Sequence, residues 1–397
     1  MRSWRYAVPV LLGVGGFEDG FALLLAGAVL PAIIHQLRPS APVVGLLISL
    51  PFLGSVIGAM IFGRLGDVLG RRRSYLYVTA LFVAGSAMGA LAPSMQLLLA
   101  SRFIIGLGIG GDIPTAGSLL AEVADHRSRG RYVSIQSLLW GIGGASAALV
   151  AIPFLALGAA AWRYVLALSA LPPLVVLALR GSIGESPLWR ARSAGGLSRI
   201  GRVAGRLSLV ASLYFATTFV LAILANYATV LMEETMGLPP REALLASAAQ
   251  WAAFVVGSSL VNARSDALGR KPLVVAGTAG LAASLAALRL SSSPAQAVAV
   301  LMVLWAFGGV AYATTNVYSA ELFPTDVRST CSGICFASGR MGGFLSTLIA
   351  PILSLRALST WMAPALVPAF AALSLAALAF APRTERVPLS VASRDGY

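Results

Sequence analysis

One signature occurs twice in this 397-residue chain, about half a chain apart, and it constrains the fold more than any other feature. The first copy reads Gly63-Arg64-Leu65-Gly66-Asp67-Val68-Leu69-Gly70-Arg71-Arg72, the second Arg264-Ser265-Asp266-Ala267-Leu268-Gly269-Arg270-Lys271. Asp67 maps onto Asp266, Gly70 onto Gly269 and Arg71 onto Arg270, all at an offset of 199. The same offset carries Glu122 onto Glu321 and Arg129 onto Arg328. Two separate motifs sharing one offset argue for a duplicated structural unit whose copies run in the same direction.

What the unit is made of follows from hydropathy. Apolar residues make up 58% of the chain and charged residues 11%, against roughly a quarter charged in a soluble domain. Runs of about 20 apolar residues predict twelve membrane-spanning helices. They fall at 6–35, 41–66, 73–93, 96–121, 130–157, 161–180, 207–233, 241–262, 270–290, 295–319, 329–354 and 358–381. Backbone in hydrocarbon finds no water to bond, so the spans must be helical. The expected fold is an all-α membrane protein of two parallel, pseudo-symmetric six-helix bundles, residues 1–182 and 207–397, joined by a basic linker at 183–206. The charged N-terminus followed by an apolar run looks like a signal peptide. It lacks a small-residue cleavage site and contains Glu18 and Asp19, so it reads as the first span.

The net charge of +14 would suggest nucleic acid in a soluble protein. Here the positive residues sit in short segments between apolar runs, so no nucleic-acid partner is expected. Of the 29 basic residues, 22 fall on the side of the N-terminus and five on the other. That asymmetry predicts both termini in the cytoplasm of a multi-pass plasma-membrane protein. The linker arginines either rest on anionic headgroups or serve only as topology signals. Cys331 and Cys335, four apart, read as packing residues, and neither His35 nor His126 has a partner at metal spacing. No metal and no cofactor is expected.

Each signature lies between two spans, and Glu122 and Glu321 end helices on the same side. Asp67, Arg71, Arg72, Glu122 and Arg129 from one half thus share a cytoplasmic layer with Asp266, Arg270, Lys271, Glu321 and Arg328 from the other. Such a layer can hold one mouth shut through ion pairs and release it when the halves rock. The plainer reading is topology signal plus helix-end stabilisation.

The signature, Gly63-x-Leu65-x-Asp67-x-x-Gly70-Arg71-Arg72 with its second-half copy, resembles that of the major facilitator superfamily. The copy carries Asn262 and Arg264 at the positions of Gly63 and Leu65. Arg102-x-x-x-Gly106-x-Gly108-x-Gly110-Gly111-Asp112-Ile113-Pro114 is similar to helix four of the sugar, phosphate and organic-ion branches. Glu185-Ser186-Pro187-Leu188-Trp189 resembles the motif after helix six of sugar porters, Glu321-Leu322-Phe323-Pro324-Thr325 its helix-ten counterpart, and Pro382-Arg383-Thr384-Glu385-Arg386 a degenerate form of the final motif. The resemblance spans nearly the whole chain. It implies a monomeric secondary transporter that binds a small molecule and protons by alternating access.

An ionisable side chain at the bilayer centre costs about 2.5–3.5 kcal/mol on insertion scales, so each one needs a reason. Glu18 and Asp19 fall mid-helix, and close carboxylates suit a proton carrier. Asp19-Gly20-Phe21 resembles a stretch of aromatic-acid proton symporters, with Ala22 where their second Asp stands. Asp112 after Gly110-Gly111 resembles the coupling Asp of phosphate:proton symporters, with Ile113 in place of their tyrosine. These three are the proton-coupling candidates; permanent ion pairing or a helix-kink cap are the structural alternatives. Arg340, at the centre of helix eleven, can clamp a carboxylate or phosphate through two parallel hydrogen bonds; a fixed salt bridge is its alternative. Arg102 lies nearer the end of its span. Gln136, Trp140, Asn226, Tyr227, Gln250, Trp251, Trp305, Tyr312 and Asn316 complete the candidate binding residues, each individually explicable as packing.

The leading expectation is proton-coupled symport of a small carboxylate or phosphate. A sugar or polyol porter is the alternative. A drug exporter, which Arg340 would oppose, and a non-transporting receptor follow. The Gly106–Gly111 run lies within a span with no Lys after it, which argues against ATP drive, and no nucleophile–base pair suggests an enzyme.

Overall fold

Hydrocarbon leaves each backbone amide to bond within its own segment, and the described residues form helices joined by turns, with no strand among them. The computed structural model describes residues 4–125, 128–154, 157–158, 161–180, 185–186, 197–291, 293–350, 355–382 and 384. The first half contains α1 (Trp4–Ala28), α2 (Leu30–Leu37), α3 (Ala41–Val68), α4 (Arg71–Ala90), α5 (Met95–Val123), α6 (Arg129–Phe154), α7 (Trp162–Leu168) and α8 (Leu171–Arg180). A 3-10 turn, Leu197–Val203, leads into the second half. That half contains α9 (Ala204–Asn226), α10 (Ala228–Met236), α11 (Pro240–Leu268), α12 (Arg270–Arg289), α13 (Pro294–Glu321), α14 (Arg328–Ile349) and α15 (Leu355–Phe380).

With α1–α2, α7–α8 and α9–α10 each taken as one broken span, these helices make the twelve passages expected, six in each half. Among the described residues, seven helices are individually long and apolar enough to cross a membrane. The α1–α2 pair passes the same test together, bent by 45°. Large apolar side chains such as Met60, Val256 and Leu375 point outward, as lipid-facing positions should. Linker residues 187–196, including Arg190 and Arg192, lie outside the described residues, as do Arg127, Arg383 and residues 385–397.

Apolar burial drives little association between helices already in lipid, so close approach must come from small residues. Gly54 and Gly58 of α3 meet Gly106 and Gly110 of α5 at one such crossing. A Cβ on Gly54 would overlap the Phe103 carbonyl, and one on Gly106 the Pro51 carbonyl. Ser55 Oγ donates across the seam to the Gly106 carbonyl at 3.1 Å. The second half repeats the device: Gly257 of α11 abuts the Ala306 carbonyl of α13, and Ser258 Oγ donates to the Gly309 carbonyl at 3.4 Å. The duplication is therefore carried in packing as well as in motif.

The two first spans of the halves break at corresponding points. Val29 (φ −102°, ψ 6°) separates α1 from α2, and Tyr227 (φ −111°, ψ 8°) separates α9 from α10. Pro31 follows the first break in the opening turn of α2. Lacking an N–H, it cannot bond the Gly27 carbonyl four residues back. That carbonyl instead accepts the Thr229 hydroxyl of the other half at 3.3 Å. The sequence reading took both spans as continuous; the missing amide explains the first break, and we have no equivalent residue-level cause for the second.

Candidate functional site

Three layers stack along the interface between the halves. The first is at the end bearing the signatures. In each copy a glycine with positive φ, Gly70 at 103° and Gly269 at 89°, turns one helix into the next. The turn brings the following arginine back beneath the preceding helix. Arg71 Nη1 donates to the Gly66 carbonyl at 2.6 Å, and Arg270 Nη1 to the Ser265 carbonyl at 2.7 Å. Each arginine also pairs with the aspartate of its own signature, Asp67 at 2.5 Å and Asp266 at 2.7 Å.

The glutamates join the halves. Glu122 accepts from Arg71 of its own half at 3.0 Å and from Arg328 of the other at 2.9 Å. Glu321 accepts from Arg270 of its own half at 2.8 Å and from Arg129 of the other at 2.9 Å. Both glutamates and all four of these arginines are buried. The aspartates cross as well. Asp67 Oδ2 accepts the Thr330 amide at 2.8 Å at the start of α14, and Asp266 Oδ2 the Arg131 amide at 3.1 Å at the start of α6. Each thereby places a carboxylate on the positive end of the opposite half's helix. Asn262 donates across the interface to the Arg131 carbonyl at 2.7 Å and Ser134 Oγ at 3.2 Å. Its counterpart Gly63 instead lets α3 lie against the backbone of α14 at Ser329. Glu185 accepts the Arg71 and Arg72 amides at 3.0 and 3.2 Å and caps α4. Arg72 and Lys271 lie outside the crossed carboxylate–guanidinium bonds described here.

A second, uncharged layer lies further in. Asn316 of α13 donates to Ser137 Oγ of α6 at 2.5 Å and accepts the Tyr214 hydroxyl. Asn316 thus bridges the halves between the ionic layer and the cavity.

The third layer is a tight pocket between the halves. Leu23, Leu24, Phe52 and Trp140 face it from the first half; Thr218, Leu221, Ala222, Ala225, Asn226, Tyr312 and Arg340 face it from the second. Trp140 stacks on Tyr312 across the halves, centroids 5.0 Å apart at 20°, and meets Trp251 and Phe254 edge-on. Trp305 packs behind Trp251 at 4.4 Å. Arg340 is buried. Its Cζ lies 4.4 Å from the Phe336 ring centroid and 5.7 Å from that of Phe52, and Nε and Nη2 have no hydrogen-bond partner among the described residues.

Of the sequence candidates, Arg340, Trp140, Asn226 and Tyr312 are thus gathered at one cavity. Trp251 and Trp305 support its wall. Arg102 is elsewhere: buried, it donates to the Ala22 and Leu23 carbonyls of α1 at 3.0 Å each. Tyr227 sits at the break before α10 and donates to the Thr347 carbonyl at 2.9 Å. Gln136 and Gln250 are buried away from the cavity wall, Gln136 with its backbone against Gly16 of α1. Glu18, Asp19 and Asp112 are all buried. The Asp112 carboxylate occupies the space a Cβ on Gly15 would take. Glu18 and Asp19 stand three and four residues beyond Gly15, on the same face of α1. Asp112 thus meets α1 at Gly15, about one helical turn from Glu18 and Asp19. Phe52, Phe336 and Thr218 were missed: an apolar residue in an apolar helix carries no signal, whereas the hydroxyl pair Thr217-Thr218 did offer one.

Comparison with known proteins follows this geometry. The family model for "Sugar (and other) transporter" matches residues 29–198, and that for the "Major Facilitator Superfamily" matches residues 207–396. The gentisate transporter of Corynebacterium glutamicum is 28% identical, over 88% of this chain and 82% of its own. The glucose transporter GlcP of Staphylococcus epidermidis is 26% identical, over 91% and 90%. The proton:xylose symporter XylE bound to 6-bromo-6-deoxy-D-glucose has the same fold, with a TM-score of 0.85 at 18% identity over 98% of both chains. A duplicated six-helix plan, a pocket between the copies and family matches to both halves lead to one assignment: this chain is a multi-pass membrane transporter of the major facilitator superfamily, of the sugar-porter and metabolite-transporter type.

Proposed function

We propose that the protein is a proton-coupled transporter of a small organic anion, a carboxylate or phosphate, working by alternating access in the plasma membrane. The observation that carries this reading is Arg340: a buried guanidinium facing the central pocket, with Nε and Nη2 lacking hydrogen-bond partners among the described residues. A buried cation in that state is costly unless something anionic visits it. The buried carboxyls of Asp19 and Glu18 on α1 and of Asp112 on α5 are the candidates to carry the proton. The remaining cavity residues orient the substrate, with Arg102, Tyr227, Gln136 and Gln250 acting on the helices around it.

The signature end is the cytoplasmic gate in this reading, with both termini on the same side. It is closed here by the crossed bonds of Glu122 and Glu321. The monomer's two bundles, residues 1–182 and 207–397, are the bodies that rock, and the linker at 183–206 joins them. Relatives named for gentisate and for glucose leave a second reading, a sugar porter, supported by the polar edge that Asn226, Thr218 and Tyr312 give the cavity.

The test is uptake into proteoliposomes under an imposed pH gradient, with carboxylates, phosphate and sugars as solutes. Gradient-driven uptake of an anion, lost in Arg340→Ala and uncoupled from the gradient in Asp19→Asn, is expected. Gradient-driven uptake of sugar alone, or anion flux undiminished in both variants, overturns the proposal.

A further inference from the structure

We infer that the anion taken by this cavity is a monocarboxylate with a compact apolar body, and that Phe52 and Phe336 are specificity-determining residues that reject tetrahedral oxyanions. The inference rests on the reading of the cavity as an anion site given above, and it narrows that reading from four sides.

The first is the shape of the donor. Nε and Nη2 of Arg340 lie along one edge of the guanidinium, and both are buried without partners. Their N–H bonds run parallel in the guanidinium plane. Two coplanar carboxylate oxygens match that edge through two bonds. The second is what surrounds it. The Phe336 and Phe52 rings pack on the guanidinium, at 4.4 and 5.7 Å from Cζ. A carboxylate bound at the edge stays in the guanidinium plane. A sulfonate on the same edge must place its third oxygen out of that plane, and a phosphate two, one on each side. Hydrocarbon rings there offer those oxygens no donor. Phe52 is itself wedged against Gly343, one turn beyond Arg340, where a Cβ would overlap the ring. It has little room to retreat.

The third is charge. Among the described residues facing the cavity, Arg340 is the only cation. A dianion, whether phosphate or a dicarboxylate, would bury one charge without a partner. The fourth is the wall. Leu23, Leu24, Leu221, Ala222 and Ala225 are apolar, and the Trp140–Tyr312 stack is flat. A polyol would leave several hydroxyls against these side chains without hydrogen bonds.

The experiment is binding to purified full-length protein, followed by calorimetry, with two matched series. One is benzoate, benzenesulfonate and phthalate; the other is propionate, ethanesulfonate and succinate; inorganic phosphate and glucose complete the panel. The sulfonates change geometry at constant charge, and the dicarboxylates change charge at constant geometry. A carboxylate is expected to bind about tenfold or more tightly than its own sulfonate and dicarboxylate counterparts. Phe336→Asn, and independently Phe52→Asn, which put an amide donor where the ring lay, should narrow the carboxylate–sulfonate gap while leaving the carboxylate–dicarboxylate gap in place. Arg340→Gln should remove all anion binding. A sulfonate, dicarboxylate or inorganic phosphate that binds wild type as tightly as any carboxylate, and is lost in Arg340→Gln, overturns this inference and leaves the anion reading standing. Glucose binding without any anion binding overturns the anion reading itself.

Discussion

Two buried arginines in spans of the same molecule are partnered differently. Arg102 spends both Nη groups on carbonyls of α1. Hydrogen bonds to a charged group contribute about 1.5–3 kcal/mol each. Arg102→Leu is therefore expected to lower thermal stability by an amount of that order while leaving ligand affinity within about threefold; a thermal melt and a titration check it. Arg340 holds a charge with two unpartnered nitrogens. Arg340→Leu is expected to leave stability unchanged or raise it by up to about 1–2 kcal/mol, while abolishing anion binding, as functional residues often do. A large loss of stability in that variant would mean Arg340 is structural. Gly15 gives a third test at this scale. Its missing side chain makes room for the Asp112 carboxylate. Overpacking costs about 1–3 kcal/mol, so Gly15→Ala should destabilise by that much and weaken proton-driven uptake more than downhill flux. The charged candidates were visible in the sequence because apolar spans tolerate few charges. Their neighbours were not. Nothing in the string says that Arg102 meets α1 backbone, or that Asn316 bonds Ser137 rather than lining the cavity.

At the scale of the helix, the signature acts through its turn. Gly70 and Gly269 hold φ of 103° and 89° with ψ of 155° and 160°, a region in practice reserved for glycine. An alanine there is strained by about 1–3 kcal/mol, so Gly70→Ala and Gly269→Ala should each lower Tm, and by similar amounts. The comparison of the two variants by melting checks it; a large effect at one and none at the other would mean the copies are not equivalent. The helices themselves were legible from hydropathy, since length and apolarity leave the backbone one solution. Most of the predicted spans match the observed helices within a few residues. The breaks at Val29 and Tyr227 were not legible. Pro31 sits where a helix tolerates proline, in a first turn, and only the structure shows that the turn is a new one. Asn226-Tyr227 carries no breaker at all.

The whole molecule is two copies of one plan held together by bonds that are themselves duplicated. Glu122 with Arg328 and Glu321 with Arg129 are the same interaction, exchanged between the halves. The offset in the sequence anticipated that these residues share a layer. It did not show that the pairs cross, because a periodic offset says which residues correspond and not which ones touch. Removing one partner of a buried pair costs about 3–5 kcal/mol, chiefly by stranding the other charge. That cost is relieved if the signature end opens to water and solvates Arg71, Arg129, Arg270 and Arg328. Charge removal should therefore open this end, and if the halves rock as bodies the opposite end must close.

Exposed, corresponding positions report both motions: Leu69 and Leu268 at the signature end, Leu91 and Leu290 at the other. With spin labels at each pair, in a background where the buried Cys331 and Cys335 are alanine, distances are measured with and without Glu122→Gln plus Glu321→Gln. The account predicts that the Leu69–Leu268 distance lengthens and the Leu91–Leu290 distance shortens in the double variant. Two unchanged distances, or lengthening at both ends, would contradict it.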